Sequence, residues 1–224
     1  MFLAPAAGYG QALGPAPDSG SAIVVKSSDQ NRVFRKVGVP LALAVAVVED
    51  RQINEFVSAH RSHGADRVAN TLDPFGRAQY ILPVLAGSYI VSLGTNRHNA
   101  AHSILRIGIS YLAADAVEAA LKPSVGRHRP DSTERPFLFH PFKNDERWHS
   151  FPSAHATHTF ALADAIAFET DSRWVQAGVF STAALVAAQR VYVGAHWTSD
   201  VVASAALAVE LTHIAERLAR RHVH

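Results

Sequence analysis

From Arg32 to the C-terminus the apolar residues of this chain come as long runs of Ala, Leu and Val broken by Gly and Pro, with no strict period-two alternation. Such runs argue against half-buried strands and predict an all-α fold, a helical bundle core of about six to seven helices. Helices are expected at 32–59, 62–70, 76–93, 98–121, 154–169, 173–191 and 198–221. The longest connection, 122–151, holds Pro123, Pro130, Pro136 and Pro141, which forbid a continuous helix there. A long ordered loop of this kind is usually functional.

At 224 residues the chain suffices for one sizeable core and is short for two. The expected organisation is a flexible tail over 1–30, rich in Ala, Gly and Pro, followed by one helical domain over 31–224. A second reading of the tail makes Phe2 to Ala12 the end of an export signal. The formal charge is +2 with Lys and Arg scattered, so no basic patch recommends a nucleic-acid partner. There are no cysteines, which excludes disulfides and thiolate metal sites without fixing a compartment.

Whether the helices meet lipid is a question of charge placement. The uncharged run from Ala78 to Asn96 just reaches spanning length but contains Gln79, Pro83, Ser88 and Ser92. In the helix over 98–121, Asp115 and Glu118 share a face with Lys122, while Arg106 lies about 160° away at ~100° per residue. A spanning helix could not hide both sides, so this distribution favours a water-soluble bundle, with a membrane-associated one as the alternative.

Three separated segments concentrate cations, histidines and a carboxylate. The first runs Lys122-Pro123-Ser124-Val125-Gly126-Arg127-His128-Arg129-Pro130. The second is Ser150-Phe151-Pro152-Ser153-Ala154-His155, and the third is Gln189-Arg190-Val191-Tyr192-Val193-Gly194-Ala195-His196-Trp197-Thr198-Ser199-Asp200. Ser153 stands where an N-cap belongs, and the helix start behind it carries free N–H groups and partial positive charge suited to an anion. His155 in the first turn resists protonation in that field until an anion binds. His196 and Asp200 are four apart, so on a helical turn the carboxylate would reach the imidazole, fix its tautomer and leave Nε2 as a nucleophile. One Lys with two Arg would serve the three equatorial oxygens of a phosphoryl group in transit. No carboxylate or histidine set has metal-ligand spacing, so neither a metal nor another cofactor is expected. Read singly, each feature has a plain explanation: a capping serine, surface histidines, a solvated basic loop, an i, i+4 polar pair.

In combination, the segments resemble the type 2 phosphatidic acid phosphatase superfamily, which includes class A bacterial acid phosphatases, lipid phosphate phosphatases and vanadium haloperoxidases. The family pattern is Lys, six residues, Arg-Pro; Pro-Ser-Gly-His; then Ser-Arg, five residues, His, three residues, Asp. The matches are Lys122, Arg129 and Pro130; Pro152, Ser153 and His155; Arg190, His196 and Asp200, in order and at the right internal spacing. The resemblance implies a metal-independent phosphomonoesterase or diphosphate phosphatase with a phosphohistidine intermediate. His196 would be the nucleophile, Asp200 its orienting partner and His155 the general acid. Lys122, Arg129, Arg190, Ser153 and the backbone N–H of Ala154 would bind phosphate.

Two positions depart from the pattern: Ala154 replaces glycine and Gln189 replaces serine. A positive φ at Ala154 would strain it by roughly 1 kcal/mol. The expected substrate is a phosphorylated small molecule or lipid, and the expected location is periplasmic or secreted in a bacterium, with the membrane as the alternative. An integral-membrane lipid phosphate phosphatase keeps the same chemistry. A vanadate-dependent haloperoxidase ranks lower because such relatives are much longer. An inactive phosphate-binding scaffold would have no use for His155, His196 and Asp200.

Overall fold

The computed structural model describes residues 37–221; the expected tail over 1–30 lies outside them. Among the described residues are seven α-helices: α1 Val39–Ala59, α2 His63–Leu72, α3 Ala78–Gly94, α4 His98–Val125, α5 Ala154–Phe168, α6 Arg173–Tyr192 and α7 Thr198–Arg221. A 3-10 turn, Asp73–Gly76, joins α2 to α3, and two shorter ones, Pro130–Ser132 and Glu146–Trp148, lie in the long α4–α5 connection. No strand forms among the described residues; a single isolated bridge pairs Arg127 with Phe139. The protein is all-α.

Helix α5 is the hub, packed against α4, α6 and α7, while α1 packs on α7. Much of its buried surface is small: Ala156, Thr157, Ala161, Ala163 and Ala165 are buried, which lets neighbouring backbones approach closely. Ala114, Ala161 and Ala208 meet where α4, α5 and α7 converge, and Phe160 and Leu211 fill the space beside them. Serine caps start three of the helices. Ser62, Ser153 and Ser172, each in extended backbone, accept from Ala65 N, Ala156 N and Val175 N respectively.

The end of α4 corrects the sequence-based boundary at 121. The helix continues to Val125 with Pro123 inside its last turns, because a proline there forfeits one N–H without preventing two further helical residues. Gly126 terminates it in the left-handed conformation at φ 59°, its N–H on Lys122 O. A Cβ there would fall 2.1 Å from His140 O, so glycine is required twice over.

The charges on opposite sides of α4 are all partnered. Arg106 is bidentate on Glu169 at 2.9 and 2.6 Å, Asp115 meets His158 at 2.6 Å, and Glu118 pairs with Lys122. Two of these partners lie at α5, at its first turns and just past its end, so the charges on both sides of α4 are neutralised as pairs, with Arg106 itself still exposed. Its charge distribution therefore does not separate a water-soluble bundle from a lipid-facing one. No helix among the described residues is long and apolar enough to cross a membrane. Helix α3 nevertheless leaves Tyr80, Val84, Ile90 and Val91 exposed around its surface.

Candidate active site

His196 is buried in the turn between α6 and α7, held from behind by backbone. Gly194, at φ 73°, lets the chain reverse after α6, and Arg190 O then accepts from Ala195 N and His196 N at 3.1 and 3.3 Å. The imidazole Nδ1 lies 2.5 Å from Ser150 O. A carbonyl can only accept, so Nδ1 carries the proton and Nε2 keeps its lone pair. Burial, reinforced by the positive charges of Lys122, Arg190 and Arg129, pushes His196 well below the ordinary histidine range, with the Ser150 carbonyl in partial opposition. His196 is thus a neutral imidazole in a positive field, with its Nε2 lone pair free.

Asp200 does not touch His196 as the i, i+4 spacing suggested. Helix α7 begins at Thr198, so His196 lies before it and off its surface, and the two residues do not share a helical turn. The carboxylate instead takes the N–H of Trp197 at 2.9 Å, the hydroxyl of Ser150 at 2.5 Å and Arg127 Nη1 at 2.5 Å. Ser150 is the bridge: its hydroxyl is on Asp200 and its carbonyl is on His196. Asp200 therefore acts on the imidazole one residue removed, through Ser150 on one side and the peptide of Trp197 on the other. Burial pushes Asp200 up to about 6, against the pull of Arg127, Ser150 and the Trp197 N–H.

Behind Asp200 lies a buried charge network that the motif spacing does not reveal. Arg127 reaches Asp50 Oδ2 of α1 at 2.8 Å, Asp200 Oδ1, Ser199 Oγ at 2.7 Å and Pro136 O at 2.9 Å. Asp50 in turn accepts from Ser199 N at 2.8 Å. Within the Gly-Arg-His-Arg segment the motif spacing picks out Arg129, but it gives no sign that Arg127 is the enclosed, structural arginine. Asp50 is invisible to motif reading because it lies some seventy residues upstream of the first segment. Its neighbours Glu49, Arg51 and Gln52 are polar as well, so nothing local marks Asp50 as the buried one.

The other expected site residues lie around this imidazole. Lys122 stands in the last turns of α4, paired with Glu118. Arg129 follows the Gly126 turn, with its backbone N–H on Arg147 O at 2.8 Å and Nη2 on Glu146 at 3.0 Å. Arg190 comes from the last turn of α6. The Nε atoms of Arg129 and Arg190 are both buried and have no hydrogen-bond partner. Two enclosed guanidinium N–H groups without acceptors are costly, at about 1–3 kcal/mol each, unless an anion completes them. Ser153 is fully buried; its N–H donates to Ser204 Oγ at 2.8 Å and its hydroxyl caps α5. Ala154 is the first residue of α5 and does not have positive φ, so the departure from glycine brings no strain. Gln189, the other departure, places Oε1 3.4 Å from Arg190 Nη1.

His155, also in the first turn of α5, puts Nε2 3.1 Å from Asp73 Oδ1, the same oxygen that takes Arg190 Nη1 at 2.6 Å. Burial, followed by the nearby Arg190 charge, pushes His155 down to about 4, with Asp73 pulling the other way. Asp115, Glu118 and His158 also bring ligand atoms within 4.8 Å of one another, an arrangement hidden in the sequence because it joins α4 to α5. Ion pairs already engage that trio, His158 on Asp115 and Lys122 on Glu118.

A family model described as the PAP2 superfamily matches residues 103–222, slightly more than half the chain and all three segments. No curated protein matches the sequence. Two solved structures share the fold. One is the first transmembrane PAP2 type phosphatidylglycerolphosphate phosphatase from Bacillus subtilis, at TM-score 0.64 and 19% identity over 84% of this chain and 97% of that one. The other is Aquifex aeolicus LpxE, at TM-score 0.60 and 17% identity over 74% of this chain and 93% of that one.

Proposed function

From the premise that this chain belongs to the PAP2 superfamily, we propose that it is a phosphatase that transfers a phosphoryl group to His196 and then to water. The observation that carries this reading is the convergence of Lys122, Arg129 and Arg190 on a buried, neutral His196, two of these cations holding enclosed N–H groups with no acceptor. In the first step Nε2 forms a bond to phosphorus as the bond to the leaving oxygen breaks, and His155 gives that oxygen its proton. In the second, His155 takes a proton from water as the water oxygen displaces Nε2, releasing inorganic phosphate and regenerating both histidines. The three cations, with Ser153 and the N–H of Ala154, hold the equatorial oxygens throughout. Asp200 keeps the imidazole in its tautomer through Ser150, stabilising the positive ring of the phosphohistidine.

Vanadate, which adopts the five-coordinate geometry of the transferring group, should inhibit competitively. Arg190→Ala should weaken both vanadate inhibition and turnover by roughly tenfold to 150-fold, one charge-assisted hydrogen bond of about 1.5–3 kcal/mol. Steady-state kinetics on a panel of phosphate esters with vanadate titration checks this. Ordinary turnover and ordinary vanadate sensitivity in Arg190→Ala would remove the third segment from the phosphoryl site.

The pH dependence has a direction set by the two histidines. His155 must be protonated to act, and in the free enzyme it is depressed to about 4, so kcat/KM should decline as pH rises above that value. A bound phosphate dianion restores proton affinity to His155, so the alkaline limb of kcat should lie at higher pH than that of kcat/KM. Since His196 is held well below the ordinary range, it stays neutral and imposes no acid limb near pH 6. Coincident limbs in the two profiles would contradict this assignment.

A second reading concerns what carries the phosphate. Helix α3 is apolar all round and leaves Val84, Ile90 and Val91 more than 60% exposed, a surface suited to lipid rather than water. This favours a lipid-borne phosphate presented at a membrane over a freely soluble ester. The membrane setting of the Bacillus subtilis relative accords with it.

A further inference from the structure

Sequence reasoning assigned the site one carboxylate, on the nucleophile. The structure brings a second carboxylate to the other histidine. Asp73 opens the 3-10 turn between α2 and α3, about fifty residues upstream of the first motif segment and outside all three. Its Oδ2 takes Arg77 Nε at 2.5 Å, and its Oδ1 takes both Arg190 Nη1 at 2.6 Å and His155 Nε2 at 3.1 Å. The same turn grips α5 at two further points. Gly76 lies so close to the His155 ring that a Cβ there would fall 2.4 Å from its Cδ2, and Gly76 O meets His158 Nδ1 at 2.9 Å. Asp73, His155 and Arg190 each keep less than a fifth of their side chains exposed, so these contacts are little screened.

We propose that Asp73 is a positioning residue for the acid step: it fixes the ring and tautomer of His155 and supplies the negative charge that lets this histidine hold a proton beside Arg190. The inference rests on the phosphatase reading above. Its chemistry follows from the donor inventory. A carboxylate between three donors stays ionised, and Asp73 is held below its ordinary range although burial pushes the other way, because Arg77, His155 and Arg190 outweigh it. An ionised carboxylate can only accept, so Nε2 carries a proton toward Asp73 and Nδ1 becomes the nitrogen that exchanges a proton with the leaving oxygen. Protonated at Nδ1, the ring is an imidazolium with Nε2–H still on Asp73. When Nδ1 gives its proton to the leaving oxygen the ring returns to neutral, and in the hydrolysis step Nδ1 takes one proton from water.

The groups facing this ring are few. Asp73 comes from the turn, with Arg77 behind it; Arg190 comes from α6; His158 comes from the next turn of α5. Asp73 is the one anion among them. Without it, a desolvated imidazole would face a guanidinium and a second histidine and would refuse the proton that the acid step needs.

Asp73→Asn keeps the shape and removes the charge. A general acid matters most when the leaving group is poor, so the variant should lose roughly 10- to 100-fold in kcat on phenyl phosphate and less than about threefold on 2,4-dinitrophenyl phosphate. Its alkaline limb on phenyl phosphate should move to lower pH, and Asp73→Glu should recover part of the loss. Loss of Arg190 alignment would instead raise KM on both esters alike. Imidazole ¹⁵N NMR with inorganic vanadate bound reads the same claim without turnover: His155 should carry a proton on Nε2 in the wild type, and its titration should fall to lower pH in Asp73→Asn. Equal losses on the two esters, a gain in activity, or an unmoved His155 titration would overturn the role of Asp73. If wild-type protein hydrolyses neither these esters nor a lipid phosphate monoester in detergent micelles, the phosphatase reading fails separately, and the NMR titration alone decides the Asp73 claim.

Discussion

Replacing His196 by alanine should lower turnover by roughly 10⁴-fold or more on every substrate while leaving phosphate binding largely in place, because it removes the covalent step but not the cations. Lys122, Arg129 and Arg190 all act on the position of this imidazole, and each is anchored independently of it, by Glu118, Glu146 and Asp73 respectively. Isothermal titration with inorganic phosphate, set beside turnover, separates the two properties. The variant should retain binding within about tenfold. A His196→Ala protein that still turns over would require another nucleophile, and one that loses phosphate binding altogether would make His196 a ligand anchor rather than a reacting group.

The second large effect concerns stability. Arg127 is buried between Asp50 and Asp200, both fully enclosed, and it holds α1, the α4–α5 connection and the start of α7 together. Arg127→Met keeps the volume but strands two buried carboxylates, a loss of about 3–5 kcal/mol. For a domain of this size, that should lower the melting temperature by roughly 10 °C.

The sign of its pH dependence is fixed by Asp200. Burial already holds this carboxyl up at about 6 with Arg127 present, and removing the guanidinium raises it further. A carboxyl whose folded value exceeds the unfolded value of about 4 stabilises the fold when protonated, and that contribution is lost as pH rises through the folded value. The penalty should therefore be smaller at pH 5 than at pH 7.5. Thermal unfolding at the two pH values checks it, and an equal penalty at both would mean that Asp200 is not the group left unpaired.

The fold was legible because its signal is local. Runs of Ala, Leu and Val punctuated by Gly and Pro point to seven helices, and seven are present among the described residues, with the α5 start at Ala154 set by the Ser153 cap. Helix α4 runs past the expected end at 121 to Val125 because Pro123 does not stop it; the stop is Gly126, whose left-handed backbone and tight approach to His140 end the helix.

The residues proposed to react were singled out because three short segments carry them. Their supporting partners were not, since support comes from elsewhere in the chain: Ser150 O rather than Asp200 on His196, Asp73 on His155, and Asp50 on Arg127. The i, i+4 argument for His196 and Asp200 failed for a specific reason. It presumed a helix through both residues, and α7 begins between them. Likewise the charges of Arg106 and Asp115 tell against a lipid-facing helix only while they have no partner in view; tertiary contacts to Glu169 and His158 neutralise them, and Glu118 pairs with Lys122 one turn along the same helix.

The central claim is that a phosphoryl group resides on Nε2 of His196 between the two steps, and rapid quenching of the enzyme with a ³²P-labelled phosphate ester tests it most directly. A phosphohistidine is stable to alkali and labile to acid, so label should survive an alkaline quench, disappear in acid, and map to the peptide that contains His196. It should be absent from His196→Ala. Alkali-stable label on a peptide lacking His196, or turnover that incorporates no label at any quench time under conditions where the second step is slowed, would contradict the account.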